Sequence, residues 1–439
     1  MRRKYVAIFI LGIVALCCLL TVFVYNLPPV HDRLAWRVDN LRVAVKRYFN
    51  PPEQVVFIPK EQVEAIVHAT LTALALPPTP TPLPALTEPP LTETPPPSAI
   101  PIPSPTLMPL PESAALNGIH HEYQKFNNCA PTSLSMVLSY WGWQGDQFQT
   151  RAYLRPSYQI DDKNVNPFEL VDFVEKFTQF DAVWRVGGDL ELLKRLVAAG
   201  FPVLIEKGLD PSHDAWLGHY QIISGYDNAN GHFLVYDSFE GPPEAYAVRY
   251  EVIAQFWRHF NFTYVVVFPP ERDIEVNSIL GPQSDPQKNF QYAADLALVE
   301  AANLTGREQF FAWFNRGTNL VYLQDYAAAA QAYDTAFALY AALSEEERPW
   351  RLLWYQDGPY AAYYYTGRYQ DVINLANTTL VNVDKPVLEE TYYWRGMAKE
   401  ALGDRQGAIE DLQRANTLNP NSTPAGEELQ RIAALGVAP

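Results

Sequence analysis

The chain has 439 residues, enough for two or three domains that each bury a core of their own. Its formal net charge of −16 argues against nucleic acid as a partner, because that partner calls for an excess of Lys and Arg. The chain has three cysteines, and two of them, Cys17 and Cys18, lie in an apolar run. This excludes a disulfide framework and leaves Cys129 without an intramolecular partner.

The N-terminus predicts a membrane anchor over residues 1–27. Residues 5–27 form a run of 23 residues without a charge, which is long enough to span a bilayer as a helix. The short apolar region and small residues of a cleaved signal peptide are not evident, so we expect the segment to remain. We expect a single pass at the cell membrane, with most of the chain extracytoplasmic. Basic residues stand on both sides of the span, so a cytoplasmic location is the alternative.

Residues 28–113 predict a connection between this anchor and the first globular domain. Residues 28–76 contain amphipathic patches that suit either juxtamembrane helices or a weakly ordered stalk. Fifteen prolines follow within residues 77–111, interspersed with Thr, Ser and Leu. This composition favours extended polyproline II and predicts a disordered spacer over 77–113.

Residues 114–272 have the pattern of an α+β domain. Apolar residues at helical spacing predict a helix over 130–141, and two further helices are predicted over 166–177 and 189–200. Runs rich in β-branched and aromatic residues predict strands over 201–208, 219–227, 232–239 and 262–270. The turn sequence NANG between the second and third of these runs predicts that the two strands form a hairpin.

Residues 285–436 are predicted to form an all-α repeat domain. Residues 313–339 align with 392–420, so that Gly317 matches Gly396 and Asp325 matches Asp404, and a more degenerate unit lies over 363–380. The spacing of small and aromatic positions resembles the tetratricopeptide repeat, which has two antiparallel helices in each unit of roughly 34 residues. The resemblance implies a protein partner for this domain.

Cys129 stands at the start of the helix predicted over 130–141. Pro131 suits the first turn of a helix, because its missing N–H is not needed there. The dipole and free N–H groups at a helix N-terminus favour the thiolate, which is the nucleophilic form. Alone, such a cysteine is more often a small buried apolar residue, so the case for chemistry depends on partners.

The predicted hairpin supplies candidate partners for the thiol. His219 begins one strand and Asp237 ends its neighbour, so a hairpin in register brings the carboxyl near the imidazole. Together with Cys129 they suit a Cys–His–Asp triad. Gln124, five residues before Cys129, is a candidate donor to an oxyanion alongside the Cys129 backbone N–H.

The sequence QKFNNCAPTSLSMVLSYWG, residues 124–142, resembles the signature of cysteine-peptidase family thirty-nine and its peptidase-like relatives. These are papain-like domains of the kind that remove double-glycine leader peptides from bacteriocins. Further similar segments are Gly200 to Val203, Gly218 to Asp227, Asp237, and the pair Phe256 and Trp257, so that the resemblance covers roughly 117–270. Ala130 and Ser238 stand where Gly and Pro are common in the family.

The resemblance implies a papain-like fold in which Cys129 is the nucleophile and His219 the base. It implies further that Asp237 orients the histidine and that Gln124 stabilises the oxyanion. His120 and His121 have no HExxH or CxxC context, so we expect neither a metal nor a cofactor.

Three functions remain open from the sequence. The first is a membrane-anchored extracytoplasmic cysteine peptidase that hydrolyses a peptide or protein held partly by the repeats. The second is a catalytically silent module that captures a peptide while the repeats scaffold a partner. The third is a different acyl transfer on the same triad, such as transamidation or amide hydrolysis at the cell wall.

Overall fold

The computed structural model describes residues 109–435 except for 126, 157–163, 212–214 and 382–386. Before residue 109 it describes residues 12, 16–17, 19–25, 45 and 57–59. Among all these residues, no helix is both long enough and apolar enough to cross a membrane. The predicted anchor, stalk and Pro-rich spacer lie largely outside the described residues.

The first globular part is built on an antiparallel sheet. Its strands are β1 Ser113–Ala115, β2 Asp181–Arg185, β3 Val203–Leu209, β4 Leu217–Asp227, β5 His232–Tyr236, β6 Tyr246–Arg249 and β7 Tyr264–Phe268. They are arranged in the order β2-β7-β3-β4-β5-β6, and β1 pairs with β4. The four predicted strands are thus present, and β1, β2 and β6 were not predicted.

Helices cover both faces of the sheet. They are α1 Cys129–Tyr140, α2 Gln147–Leu154, α3 Pro167–Phe177, α4 Leu190–Ala198, α5 Tyr250–Arg258 and α6 Asp273–Leu280. Helices α1 to α3 pack with Leu204, Ile222 and Val265 on one face. Helices α4 to α6 pack with the alternate residues, such as Ile205 and Ile223, on the other face. Strands β3 and β4 are buried on both faces, so the polar side chains that they carry are buried as well.

The hairpin of β4 and β5 positions the candidate site. Asp227 pairs with His232 across the NANG turn, and Ile222 pairs with Tyr236. The prediction of a strand over 232–239 is too long, because β5 ends at Tyr236. The next residue, Asp237, turns its carboxylate back to accept hydrogen bonds from the backbone N–H groups of Phe239 and Glu240. The chain therefore leaves the sheet at Asp237.

The second globular part is helical. Its helices are α7 Pro286–Asn303, α8 Gly306–Tyr322, α9 Tyr326–Ala342, α10 Gly358–Tyr365, α11 Tyr369–Val381, α12 Glu389–Ala401, α13 Arg405–Leu418 and α14 Thr423–Leu435. Helices α8/α9, α10/α11 and α12/α13 form three successive pairs, as the repeat pattern predicts. The turns inside these pairs are short, whereas residues 343–357 form a long connection between the first pair and the second.

The residues that match between repeats have matching structural roles. Asp325 and Asp404 each accept a hydrogen bond at a helix start, from the N–H of Ala328 and Gly407 respectively. A Cβ atom on Gly317 would lie 2.8 Å from the ring of Tyr333 in the partner helix. The glycine is therefore required by the close approach of α8 and α9.

The two globular parts share a buried interface. The Trp216 ring, just before β4, stacks on Phe260 and lies 5.7 Å from Phe311 of α8. The side-chain amides of Asn261 and Asn319 exchange hydrogen bonds of 2.7 and 3.0 Å across the same interface. The apolar core of the repeats thus continues into the sheet domain.

We predict that Gly317→Ala destabilises the protein by about 1–3 kcal/mol, because the added methyl group overpacks the contact with Tyr333. The measurement is the unfolding midpoint in urea, followed by circular dichroism. Gly426→Ala in α14 is the matched control, because its methyl group would meet only the flexible end of Asn416 and alanine favours a helix. Equal stability of the two variants would contradict the proposed packing.

Candidate active site

Cys129 is the first residue of α1 and is partly exposed. The loop before it is fixed by Gln147 at the start of α2. Gln147 Oε1 accepts hydrogen bonds of 2.9 Å from the Lys125 N–H and from the Asn128 side chain, and its Nε2 donates to the carbonyl of Tyr123. A short polar network therefore sets the position from which the thiol projects.

His219 and Asp237 lie in direct contact on the neighbouring strands. His219 Nε2 is 2.9 and 3.0 Å from the two carboxylate oxygens of Asp237. Both side chains are almost fully buried, at 2% exposure each. Asp237 occupies Nε2, which leaves Nδ1 as the ring nitrogen available to the Cys129 thiol, and the thiol interacts with the His219 ring. The structure thus brings Cys129, His219 and Asp237 together in series.

The protonation of the pair follows from these contacts. Burial alone raises the pKa of the Cys129 thiol, but hydrogen bonding to His219 and the charge of its ring bring the pKa below its ordinary value. Backbone N–H groups of Tyr220 and Ala130 lower it further. Burial alone lowers the pKa of His219, but the Asp237 charge and the thiol raise it to about 9. The contact therefore shifts the pair toward a thiolate beside an imidazolium, because it lowers the pKa of the thiol and raises that of the imidazole.

The Asp237 carboxylate is held in its charged form. Burial alone raises its pKa, but the charge and hydrogen bond of His219 outweigh burial and lower the pKa to about 2, with help from Lys207. Gln221 Nε2 adds a hydrogen bond of 2.8 Å to the second oxygen. Gln221 lies two residues after His219 on the same face of β4, and Lys207 pairs with His219 across the sheet.

Gln124 lies beside the loop that carries the acid. Its backbone N–H donates to the carbonyl of Ser238 at 2.8 Å, and its side-chain Oε1 accepts from the Ser238 hydroxyl at 2.9 Å. With Oε1 engaged in this way, the side-chain Nε2 is the end of the amide that can donate to a substrate. Ser238, which stands where the resembling family commonly has Pro, therefore orients the Gln124 amide.

A buried carboxyl, Glu206, lies near the thiol. It pairs with Tyr220 across β3 and β4 and is 5% exposed. Burial raises its pKa well above the ordinary value, and the charge of Cys129 raises it further, although a hydrogen bond with Tyr220 lowers it. Burial therefore favours the neutral form of Glu206, which places no second negative charge beside the thiol.

Five residues of the site were not predicted from the sequence: Gln221, Lys207, Ser238, Glu206 and Gln147. Gln221 and Lys207 had a detectable signal, because strand alternation and register place both on the face of His219. No pattern in the sequence indicates that Ser238, Glu206 or Gln147 belongs to the site. The contact of Gln147 depends on the course of the loop between α1 and α2, and that of Ser238 on the turn after Asp237.

We predict that the alkylation rate of Cys129 titrates below the ordinary thiol pKa, and that His219→Ala moves the midpoint upward. Removing the cation leaves burial to favour the protonated thiol, so less thiolate is present at neutral pH. The measurement is iodoacetamide labelling across a pH series, with the Cys129 peptide quantified by mass spectrometry. Lys288→Ala, on the exposed start of α7, is the control. Identical midpoints in the wild type and in His219→Ala would contradict the pairing.

Comparison with known proteins agrees with this division of the chain. Residues 116–265 match the Peptidase_C39 like family, and residues 389–422 match the tetratricopeptide repeat. No curated protein matches the chain.

Two solved structures are similar to parts of the chain. One is a Bacillus anthracis protein described as a C39-like peptidase, at 20% identity and a TM-score of 0.31, covering 36% of this chain and 98% of that one. The other is the first TPR of Spaghetti (RPAP3) bound to an HSP90 peptide, at 17% identity and a TM-score of 0.24, covering 30% of this chain and 98% of that one. By the family matches, residues 116–265 are similar to the Peptidase_C39 like family, and residues 389–422, within the helical part that follows, are similar to the tetratricopeptide repeat.

Proposed function

We propose that this protein is a cysteine peptidase that hydrolyses a peptide or protein through Cys129, His219 and Asp237. The observation that carries the proposal is the placement of His219 between Asp237, which binds its Nε2 at 2.9 Å, and the thiol of Cys129, which interacts with the same ring. The pKa of the thiol is lowered and that of the imidazole is raised, as a nucleophile and a proton donor require.

In the proposed mechanism the Cys129 thiolate attacks the scissile carbonyl carbon. The oxygen that becomes negative accepts hydrogen bonds from Gln124 Nε2 and from the Cys129 backbone N–H, which lies in the first turn of α1, where N–H groups have no intrahelical partner. His219 Nδ1–H gives its proton to the leaving amine as the C–N bond breaks. Asp237 keeps the ring oriented throughout.

Deacylation reverses the role of the histidine. The neutral His219 Nδ1 takes a proton from water, whose oxygen attacks the thioester carbonyl, and the C–S bond breaks to release the carboxylate product. The thiolate and the imidazolium are then restored. The balance of the two steps is one water added across one amide bond.

We propose further that the repeats bind a protein, either the substrate or a partner, and that residues 1–27 anchor the protein at the cell membrane. The uncharged run over 5–27 and its basic flank support the anchor, and the Pro-rich composition of 77–113 supports an extracytoplasmic location for the rest of the chain.

We predict that Cys129→Ala abolishes cleavage of a peptide library, because no other group supplies the nucleophile. Cys17→Ser is the matched control and keeps wild-type turnover. Products are identified by mass, so that addition of water separates hydrolysis from transfer to an amine. Normal turnover by Cys129→Ala would contradict the mechanism. Peptide binding by the wild type without cleavage would instead support a catalytically silent module.

We predict that Gln124→Ala lowers kcat about 10²–10³-fold with little change in KM, because the amide acts on charge that develops only in the transition state. Ser238→Ala frees the amide to rotate and should lower kcat less. Steady-state kinetics on the cleaved peptide provide both values. An unchanged kcat in Gln124→Ala would remove this residue from the proposed oxyanion site.

A further inference from the structure

A short segment before the Pro-rich region packs into the repeat domain. Phe57 is 6% exposed and Pro59 is also buried, whereas Ile58 between them is 48% exposed. The segment ends 54 positions before the start of β1 at Ser113, and yet its Phe57 belongs to the apolar core of the repeats. Its alternating burial is that of a peptide laid along a surface with two side chains turned inward.

The pocket around Phe57 lies between the first and second helix pairs. Its ring meets that of Phe337 in α9 edge to face, with centroids 5.1 Å apart at 77°, and lies 6.2 Å from Tyr363 in α10. Both are favourable aromatic geometries. Further lining comes from α8, from α11 and from the connection between the pairs, through Phe310, Phe314, Leu352, Leu353 and Leu375.

The long connection over 343–357 accounts for the pocket between the first and second helix pairs. Within each pair, the turns over 323–325, 366–368 and 402–404 let the helices pack directly. Between the first and second pairs, the connection passes over the junction and leaves a space that its own residues Pro349 and Trp350 help to line. The Phe57 ring lines this space and packs against Phe337 and Tyr363 at its edge.

We propose that Phe57–Pro59 is a built-in ligand of the repeat domain, docked in cis between α8/α9 and α10/α11. Residues 60–108 then join two points that are both attached to the same folded body, Pro59 on the repeats and Pro109 ahead of β1. Linkage of this kind makes the docking intramolecular, so that a small contact suffices to hold the segment at the pocket. The inference does not depend on catalysis by Cys129.

The first test places the photo-crosslinker p-benzoylphenylalanine at position 57 of the full chain. Irradiation should link this position to peptides from 326–342 or 358–381 of the same molecule, as mapped by mass spectrometry. A mixture of ¹⁴N- and ¹⁵N-labelled chains distinguishes links within one molecule from links between two. The same probe at position 58, whose side chain points outward, should give at most a minor yield.

The second test measures hydrogen exchange in α9 and α10 of the full chain. Phe57→Ala should raise exchange there several-fold and lower the thermal midpoint of the repeats by roughly 5 °C, since a buried aromatic contact is lost. Ile58→Ala should leave both values unchanged. Absence of crosslinks to the repeats, crosslinks only between two chains, or wild-type exchange in Phe57→Ala would each overturn the proposal. The crosslinking experiment keeps an aromatic side chain at position 57. It therefore tests the docking on the repeats even if Phe57→Ala fails to fold.

Discussion

The contact between the Asp237 carboxylate and His219 Nε2 is the constraint on which the rest of the site depends. It selects which ring nitrogen faces Cys129, and it supplies the negative charge that keeps the imidazole protonated. The carboxylate can do this while buried because Gln221 and two backbone N–H groups satisfy its oxygens. The folded state consequently holds the His219 proton more tightly than the unfolded chain does. This stabilisation is complete below about pH 6.5 and is lost as the pH rises through about 9.

The site joins two segments that lie about ninety residues apart, and hydrogen bonds between their loops keep them in place. The loop before Cys129 is tied to the turn after β5 by the Gln124 N–H on Ser238 and by His121 Nε2, which donates to the carbonyl of Asp237 at 2.9 Å. The nucleophile is therefore positioned by the same turn that carries the acid. A shift of either loop would alter both the thiol–imidazole contact and the donor proposed for the oxyanion.

Much of this arrangement was predictable because it depends on local patterns. The apolar spacing over 130–141 indicated α1, and the NANG turn set the hairpin that pairs Asp227 with His232. The match of Asp325 with Asp404 was visible as a repeat, and the structure gives both residues a capping role. The early end of β5 was not predictable, because the side chain of Asp237 competes with the sheet for backbone N–H groups. The contacts of Ser238 and Glu206 depend on tertiary packing, which no short sequence window contains. The contact of Phe57 with the repeats also depends on tertiary packing and was not predictable from the sequence.

The interface between the sheet domain and the repeats has a consequence for the independence of the two parts. The strand that carries His219 begins against the repeat side: a Cβ atom on Gly218 would lie 3.0 Å from Tyr355, and Arg351 donates to the carbonyl of Ala215 at 3.2 Å. Trp216 and Phe260 would face water if the repeats were removed. The family match ends at residue 265, but the packing of the sheet domain continues into the repeats. In this chain the helical repeats are part of the scaffold that holds the histidine strand, in addition to any protein that they bind.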